Sequence, residues 1–204
     1  MDRKEFFEGL NLTHWDLSDR KLIQAAYELA KLGHAKQTRD GGGRYFEHPR
    51  EVARLLIGFG YLECETICTG LLHDGIEDTY IPEIVYIQTF GACVYRSIET
   101  LSKSIPHNDP LTGRVIGYIK KTLEEYFTEL MKAPKHVRAT KCCDRLHNLR
   151  TLGGRSNRKK REQIDETVKY ILPLADATDP EIAKAIRVEI ALLEADLMRH
   201  PLTA

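Results

Sequence analysis

Apolar residues recur at three- and four-residue intervals along almost the whole chain, and no convincing strand-length alternation appears. That period is one face of an α-helix. Leu22, Ile23, Ala26 and Ala30 keep it, and Gly33 supplies a C-terminal stop. Pro49 can open a second helix, where its missing N–H is not needed; Val52, Leu55, Leu56 and Phe59 follow, and Gly60 ends it. A third covers roughly residues 63–74, with Ile67, Leu71 and Leu72 inward. Pro82 opens a short helix of Ile84, Val85 and Ile87 that closes near Gly91, and Val94, Ile98 and Leu101 mark another. Ile116, Ile119, Leu123, Tyr126 and Leu130 read as one amphipathic stripe running to Pro134. Residues 135–150 carry an interior of Ala139, Cys142, Leu146 and Leu149; Ile164, Val168, Ile171 and Leu172 form the next helix. Asp179 and Pro180 are an N-cap and first-turn pair for the last, with Ile182, Ile186, Ile190, Leu193 and Leu197. No low-complexity linker or repeat divides the 204 residues. The expectation is an all-α fold of about nine or ten helices, one domain over residues 1–204. Its motif-bearing core is about 22–175, and a C-terminal helix in 176–204 packs on that core.

Charge and cysteine content narrow the function classes. Thirty Lys and Arg balance thirty Asp and Glu, so whole-molecule attraction to nucleic acid or an anionic membrane does not organise this chain. No apolar run approaches the ~18 residues of a membrane-spanning helix. The charged opening lacks the apolar stretch of a signal peptide. Five cysteines without paired spacing read as reduced thiols, hence a cytoplasmic protein. The charge is nevertheless segregated. Residues 55–95 hold no Lys or Arg but six acids: Glu63, Glu65, Asp74, Glu77, Asp78 and Glu83. Residues 132–161 hold eleven Lys and Arg against the single acid Asp144. A cation site beside a phosphate site needs such an arrangement, and two separate solvated faces would produce it too. No Phe, Tyr or Trp interleaves the basic stretch, so a nucleic-acid partner is not expected.

The residues that carry chemistry are His48, His73-Asp74 and Asp144. His73 and Asp74 end a buried helix directly after Leu71-Leu72, with Glu77 four residues past His73 and Asp78 four past Asp74. Carboxylates gathered at a helix C-terminus repel one another and oppose the helix dipole. A divalent cation removes that difficulty. Two imidazoles with two carboxylates suit Mn²⁺, Fe²⁺, Co²⁺ or Zn²⁺ better than Ca²⁺. A lone His-Asp pair is weak, because two such residues adjoin by chance; the extended string is much more specific.

His73-Asp74 with a distant His48 and Asp144 resembles the HD superfamily of metal-dependent phosphohydrolases. Three further stretches are similar to the alarmone hydrolase domain of the RelA/SpoT family: His34-Ala-Lys-Gln37-Thr-Arg39 with Tyr45-Phe-Glu-His48-Pro49, then Leu71-Leu72-His73-Asp74-Gly-Ile-Glu77-Asp78-Thr79, then Lys141-Cys-Cys-Asp144-Arg145-Leu146-His147-Asn148. The likeness covers roughly residues 22–175. A synthetase domain would follow in that family, whereas here the sequence stops at Ala204, so the resemblance is to a stand-alone small alarmone hydrolase of the metazoan SpoT-homologue type.

The resemblance implies removal of pyrophosphate from the 3′ position of guanosine 3′,5′-bis(diphosphate), ppGpp or pppGpp. It implies one Mn²⁺ per chain, or another divalent transition metal, on His48, His73, Asp74 and Asp144, with Glu77 and Asp78 as the acid pair. Arg39 matches a position that stacks on guanine, Asn148 one that contacts the nucleoside, and Thr151 lies in the same segment. Arg44, Lys141, Arg145 and Arg150 are candidates for phosphate, although ion pairs on helices explain each of them as well. His147, three residues past Asp144, is either a partner of a metal ligand or a buried, hydrogen-bonded histidine. His34 is expected to be structural, and Trp15 with Leu10, Leu12 and Leu17 to anchor the N-terminal segment. Where the family has Lys then Ser after Arg39, this chain has Asp40 and Gly41, and Gly42-Gly43-Arg44 replaces a common Gly-Glu-Pro. Those differences keep open an HD phosphohydrolase on another nucleotide (an adenosine alarmone, a nucleoside monophosphate, NADPH). A non-enzymatic nucleotide- or toxin-binding module would instead show decay of a ligand or acid, and none is lost. The expected partner is a small nucleotide, without a membrane; a homo-oligomer is compatible with the sequence.

Overall fold

The computed structural model of the protein describes residues 3–9, 14–39, 42–112 and 115–200. Its helices are α1 (Arg3–Gly9), α2 (Leu17–Gly33), α3 (Glu47–Gly58), α4 (Cys64–Leu72), α5 (Gly75–Asp78), α6 (Glu83–Leu101), α7 (Leu123–Lys132), α8 (Lys135–Arg150), α9 (Asn157–Glu166), α10 (Leu172–Asp176) and α11 (Pro180–Arg199). Side-chain caps start several of them. Asp16 accepts from the Asp19 amide before α2, Ser156 from Lys159 before α9, and Asp179 from Glu181 and Ile182 before α11. The fold is all-α, as the periodicity requires.

The fold is organised around α4. Thr66 to Leu72 are buried without interruption, so this stretch of the helix is covered on every face and sits inside the molecule. It packs against α2, α3, α6 and α8. Gly70 lets α3 approach: a Cβ there would press on Leu56 Cδ1 and lie 3.3 Å from the Ala53 Cα. Because α4 is interior, its C-terminus delivers His73 and Asp74 into the protein rather than to solvent. The second interior helix, α8, crosses α3, α4 and α6 and is covered on its far side by α11. Its buried face includes Lys141, Asp144 and Arg145 beside Ala139, Cys142 and Leu146.

Three local readings differ from the periodicity. The stripe from Ile116 to Leu130 is two elements: β2 (Val115–Lys120) pairs antiparallel with β1 (Ser104–Asn108), and α7 begins only at Leu123. Thr122 and Glu125 form a reciprocal capping box that sets this start. Ile116 and Ile119 are more than half exposed, whereas Tyr126 and Leu130 are buried, so the shared three-residue spacing is coincidental. In α6, Ile84 is exposed and Tyr86 and Phe90 face the core. The same helix breaks at Gly91, whose φ of 83° is the left-handed region that favours glycine. Val168 is half exposed and lies in a π-helical turn, Thr167–Ile171, between α9 and α10. Pro173 has no N–H to give an α-helical ladder there, and a π turn is one way a helix absorbs such an interruption.

Gly75, directly after Asp74, is fixed by packing. A Cβ at this position would overlap the Tyr86 hydroxyl, and Tyr86 is fully buried. Gly75→Ala is expected to destabilise the fold by about 1–3 kcal/mol through overpacking. Adding Tyr86→Phe, which removes the overlapping oxygen, should return most of that in thermal unfolding; an equal or larger loss in the double variant would show that the strain lies elsewhere.

Candidate functional site

His48 enters from the first turn of α3, His73 and Asp74 from the end of α4, and Asp144 from the middle of α8. Their functional atoms converge. His48 Nε2 lies 3.1 Å from Asp144 Oδ1 and 3.6 Å from Asp74 Oδ2. His73 Nε2 lies 3.1 Å from Asp74 Oδ1 and 3.9 Å from Asp144 Oδ1. One ligand atom each of His48, His73 and Asp74 falls within 4.8 Å of the others.

The other ring nitrogens set which way these lone pairs point. His73 Nδ1 donates to the Gly70 carbonyl at 2.8 Å, which turns Nε2 toward the carboxylates. That Nε2 is buried and has no hydrogen-bond partner among the described residues. His48 Nδ1 is 2.7 Å from His147 Nδ1, and Arg39 Nη1 donates to the same His147 atom at 3.1 Å. An arginine only donates, so His147 Nδ1 is the acceptor and His48 Nδ1 carries the proton. His48 Nε2 is thereby left as a lone pair facing Asp144. Burial above all, with the Arg39 guanidinium beside it, lowers the His147 pKa to about 3, so this ring stays neutral and able to accept.

The carboxylates are held ionised. Burial alone would raise Asp144, but the Lys141 ammonium beside it outweighs burial and keeps its carboxyl well below the usual range. Lys141 Nζ donates to Asp144 Oδ2 at 2.7 Å, and Asn148 Nδ2 donates to Oδ1 at 2.6 Å. The Asp74 carboxyl likewise lies below its ordinary range, although burial opposes its ionisation. Two inward imidazole lone pairs, two anionic carboxylates and an orphaned buried Nε2 fit a divalent transition metal.

Glu77 and Asp78 sit on α5, one turn beyond Asp74. The Tyr45 hydroxyl lies 2.8 Å from Asp78 Oδ2 and 2.9 Å from Asp74 Oδ2, so its one proton is shared between two carboxylates. Tyr45 thus ties Asp78 to the histidine–aspartate cluster. Burial, followed by the charge of Asp74, raises the Asp78 pKa despite the Tyr45 bond. Glu77 Oε1 accepts from the Lys103 amide at 2.6 Å, at the root of the β1–β2 hairpin.

A cavity of about 750 Å³ opens from His48 and His147 and is lined by Arg39, Arg44, Asn148 and Thr151 among others. The size suits a nucleotide. A groove of similar volume between α1 and α2 holds none of these residues. Arg39 Nη2 also donates to Asn148 Oδ1 at 2.5 Å, and its guanidinium lies 6.0 Å from the Tyr45 ring centre. Thr151 bonds back to the His147 and Asn148 carbonyls. Arg44 is exposed, 3.9 Å from Glu47.

The basic residues of α8 separate. Lys141 is buried on Asp144, Arg145 is buried against Gln163 and Glu166, and Arg150 pairs with Glu189 at 2.8 Å. Lys141 and Arg145, the candidates for phosphate, each have a carboxylate beside them, as a buried cation requires. Asp40 and Gly41 lie outside the described residues, as do Leu10 and Leu12. Around them Thr38 bridges Arg44, and Gly42 and Gly43 have φ of 84° and 83°. His34 stacks on Tyr45 and bonds Gln37, and Trp15 is buried with its Nε1–H on the Leu62 carbonyl. The role of Tyr45 was not legible from its position. Only a signal that Asp74 and Asp78 share a donor would have singled it out.

Residues 26–179 match the HD domain family. The chain is 32% identical over 174 residues to a probable GTP pyrophosphokinase of Mycobacterium leprae, covering 84% of this chain and 20% of that protein. It is 35% identical over 174 residues to the bifunctional (p)ppGpp synthase/hydrolase SpoT of Escherichia coli, covering 83% of this chain and 24% of that protein. The chain therefore spans about a fifth to a quarter of the length of these curated relatives. Among solved structures it is similar in fold to a metazoan ortholog of SpoT described as hydrolyzing ppGpp, with a TM-score of 0.66 and 17% identity over 87% of this chain and 96% of that one.

Proposed function

The chain belongs to the HD domain family, and from that premise we propose that it is a metal-dependent pyrophosphohydrolase of guanosine 3′,5′-bis(diphosphate). One juxtaposition carries the reading. Two imidazole Nε2 atoms and two carboxylates meet beside His48, which itself lines a cavity shared with Arg39, Arg44 and Lys159, and a second pair of acids lies one turn away. The names of the relatives, which include both alarmone synthases and hydrolases, favour the same substrate. We assign His48, His73, Asp74 and Asp144 as ligands of one divalent ion per chain, with Mn²⁺ as the working metal. When bound, that ion supplies charge neutralisation at a phosphoryl oxygen and a lowered pKa for water.

The residues of the chain supply the rest. In the proposed reaction the oxygen of water joins the phosphorus next to the 3′ oxygen. The bond from that phosphorus to the 3′ oxygen breaks, and the 3′ oxygen takes up a proton. Pyrophosphate and GDP or GTP result. Glu77 and Asp78 between them accept the proton of water and return one to the 3′ oxygen. Asp78, whose pKa burial raises, is suited to carrying a proton. Arg39 presents its guanidinium to the base, Asn148 and Thr151 meet the nucleoside, and Arg44 meets phosphate. We read one HD-type unit over residues 1–204, and a single buried cluster running from Phe6 to Leu197 supports that reading. We assign it to the cytoplasm on its five free thiols. No described helix is long and apolar enough to cross a membrane.

The test is turnover of guanosine tetraphosphate by purified protein, resolved by ion-exchange chromatography. Release of GDP and pyrophosphate with Mn²⁺, abolished by a chelator and restored by adding the ion back, is the expected result. Absence of products with Mn²⁺, Mg²⁺, Zn²⁺ or Co²⁺ sinks the reading.

A further inference from the structure

Arg50, on α3 two residues past His48, is buried to 4% exposure and lines the same cavity. The other buried cations, Lys141, Arg145 and Lys160, each have a carboxylate at hydrogen-bond distance. Arg50 has none among the described residues. Its Nε lacks any hydrogen-bond partner, and the closest carboxylate oxygen, Glu51 Oε1, is 4.0 Å away. The other oxygen of Glu51 is taken by Arg54 at 2.7 Å. A buried guanidinium without a matched acceptor is costly, and a protein keeps one where a ligand completes it.

We propose that Arg50 reads the base of the bound nucleotide, donating its planar fork to the O6 and N7 acceptors of a 6-oxopurine. The inference rests on the cavity being a nucleotide site and names its specificity determinant. Phosphate is the poorer occupant of this wall, because Glu47 and Glu51 line it and repel anions. The exposed cations Arg44 and Lys159, farther out on the rim, serve phosphate in contact with water. A neutral base with two adjacent acceptors satisfies the buried fork without bringing charge past the carboxylates. Adenine offers N7 but sets an amino donor against the guanidinium, leaving two donors facing each other.

The experiment is calorimetric titration of the full chain, in Mn²⁺ buffer, with guanosine, inosine and adenosine 5′-diphosphate. GDP and IDP share O6 and N7 and should bind alike; ADP should bind about 10-fold or more weakly. Arg50→Met should bring GDP and IDP down to the affinity of ADP without moving ADP itself. Arg50→Gln, which keeps a polar side chain, provides the same comparison if the methionine variant does not fold. Equal affinity of the wild type for GDP and ADP overturns the inference. So does a variant whose loss is the same for all three nucleotides, which marks a phosphate contact or a structural residue, and so does failure of all three to bind. Turnover of guanosine tetraphosphate on the same samples reports separately. An Arg50-dependent base preference in a protein without turnover keeps this assignment and sinks the proposed reaction.

Discussion

Asp144→Asn is expected to lower turnover by about 10³-fold or more and to loosen the fold as well. The first effect follows from the ligand role proposed for this carboxylate. Lewis-acid stabilisation is worth several kcal/mol, and each ~1.4 kcal/mol is tenfold in rate. The second follows from Lys141, whose ammonium is buried against Asp144 Oδ2 at 2.7 Å. Removing one partner of a buried ion pair costs about 3–5 kcal/mol, because the other charge is left uncompensated. For a chain this size that amounts to a fall in Tm of roughly 10 °C. The two effects are separable. Lys141→Met in the Asp144→Asn background should regain most of the lost stability and none of the turnover, while Mn²⁺ affinity stays low in both. Thermal unfolding, metal titration and product release on the three variants check this. Recovery of turnover in the double variant, or full activity in Asp144→Asn, contradicts the ligand assignment.

Glu77→Gln and Asp78→Asn should each cut turnover by about 10²–10⁴-fold while leaving metal binding and stability in place. Both replacements are isosteric. A glutamine oxygen at position 77 can still accept from the Lys103 amide, and an asparagine oxygen at position 78 can still accept from Tyr45. The loss is then chemical: the side chains can no longer take up and return a proton. Retained Mn²⁺ affinity distinguishes these variants from Asp144→Asn. If turnover persists within a factor of two in both, proton transfer runs through other groups and the acid-pair assignment is wrong.

Helix content and order were legible in the sequence because a buried stripe at 3.6-residue spacing has few alternative readings over ten or more residues. Gly91 was legible as a break, and the backbone there is left-handed. The β1–β2 hairpin was not. Its strands have no core face of their own, and Ile116 and Ile119 are exposed, so their spacing carried no burial signal. Lys141 and Arg145 show a similar limit. Eleven basic residues within thirty positions look like one anion-binding face, yet their partners Asp144, Glu166 and Glu189 come from three different helices.

The motifs by themselves named the residues proposed for the site: two histidines, two aspartates and a neighbouring acid pair. Only the tertiary structure decided how they are oriented. His147 binds the far nitrogen of His48 across 99 positions of sequence, and Tyr45 joins Asp74 to Asp78 across 29 and 33. Arg50 is distinguished from the other buried cations solely by what it fails to meet. The reason is physical. Local spacing reports which face of a helix a residue occupies, whereas hydrogen-bond partnership and the ionisation it imposes depend on which other helix packs there.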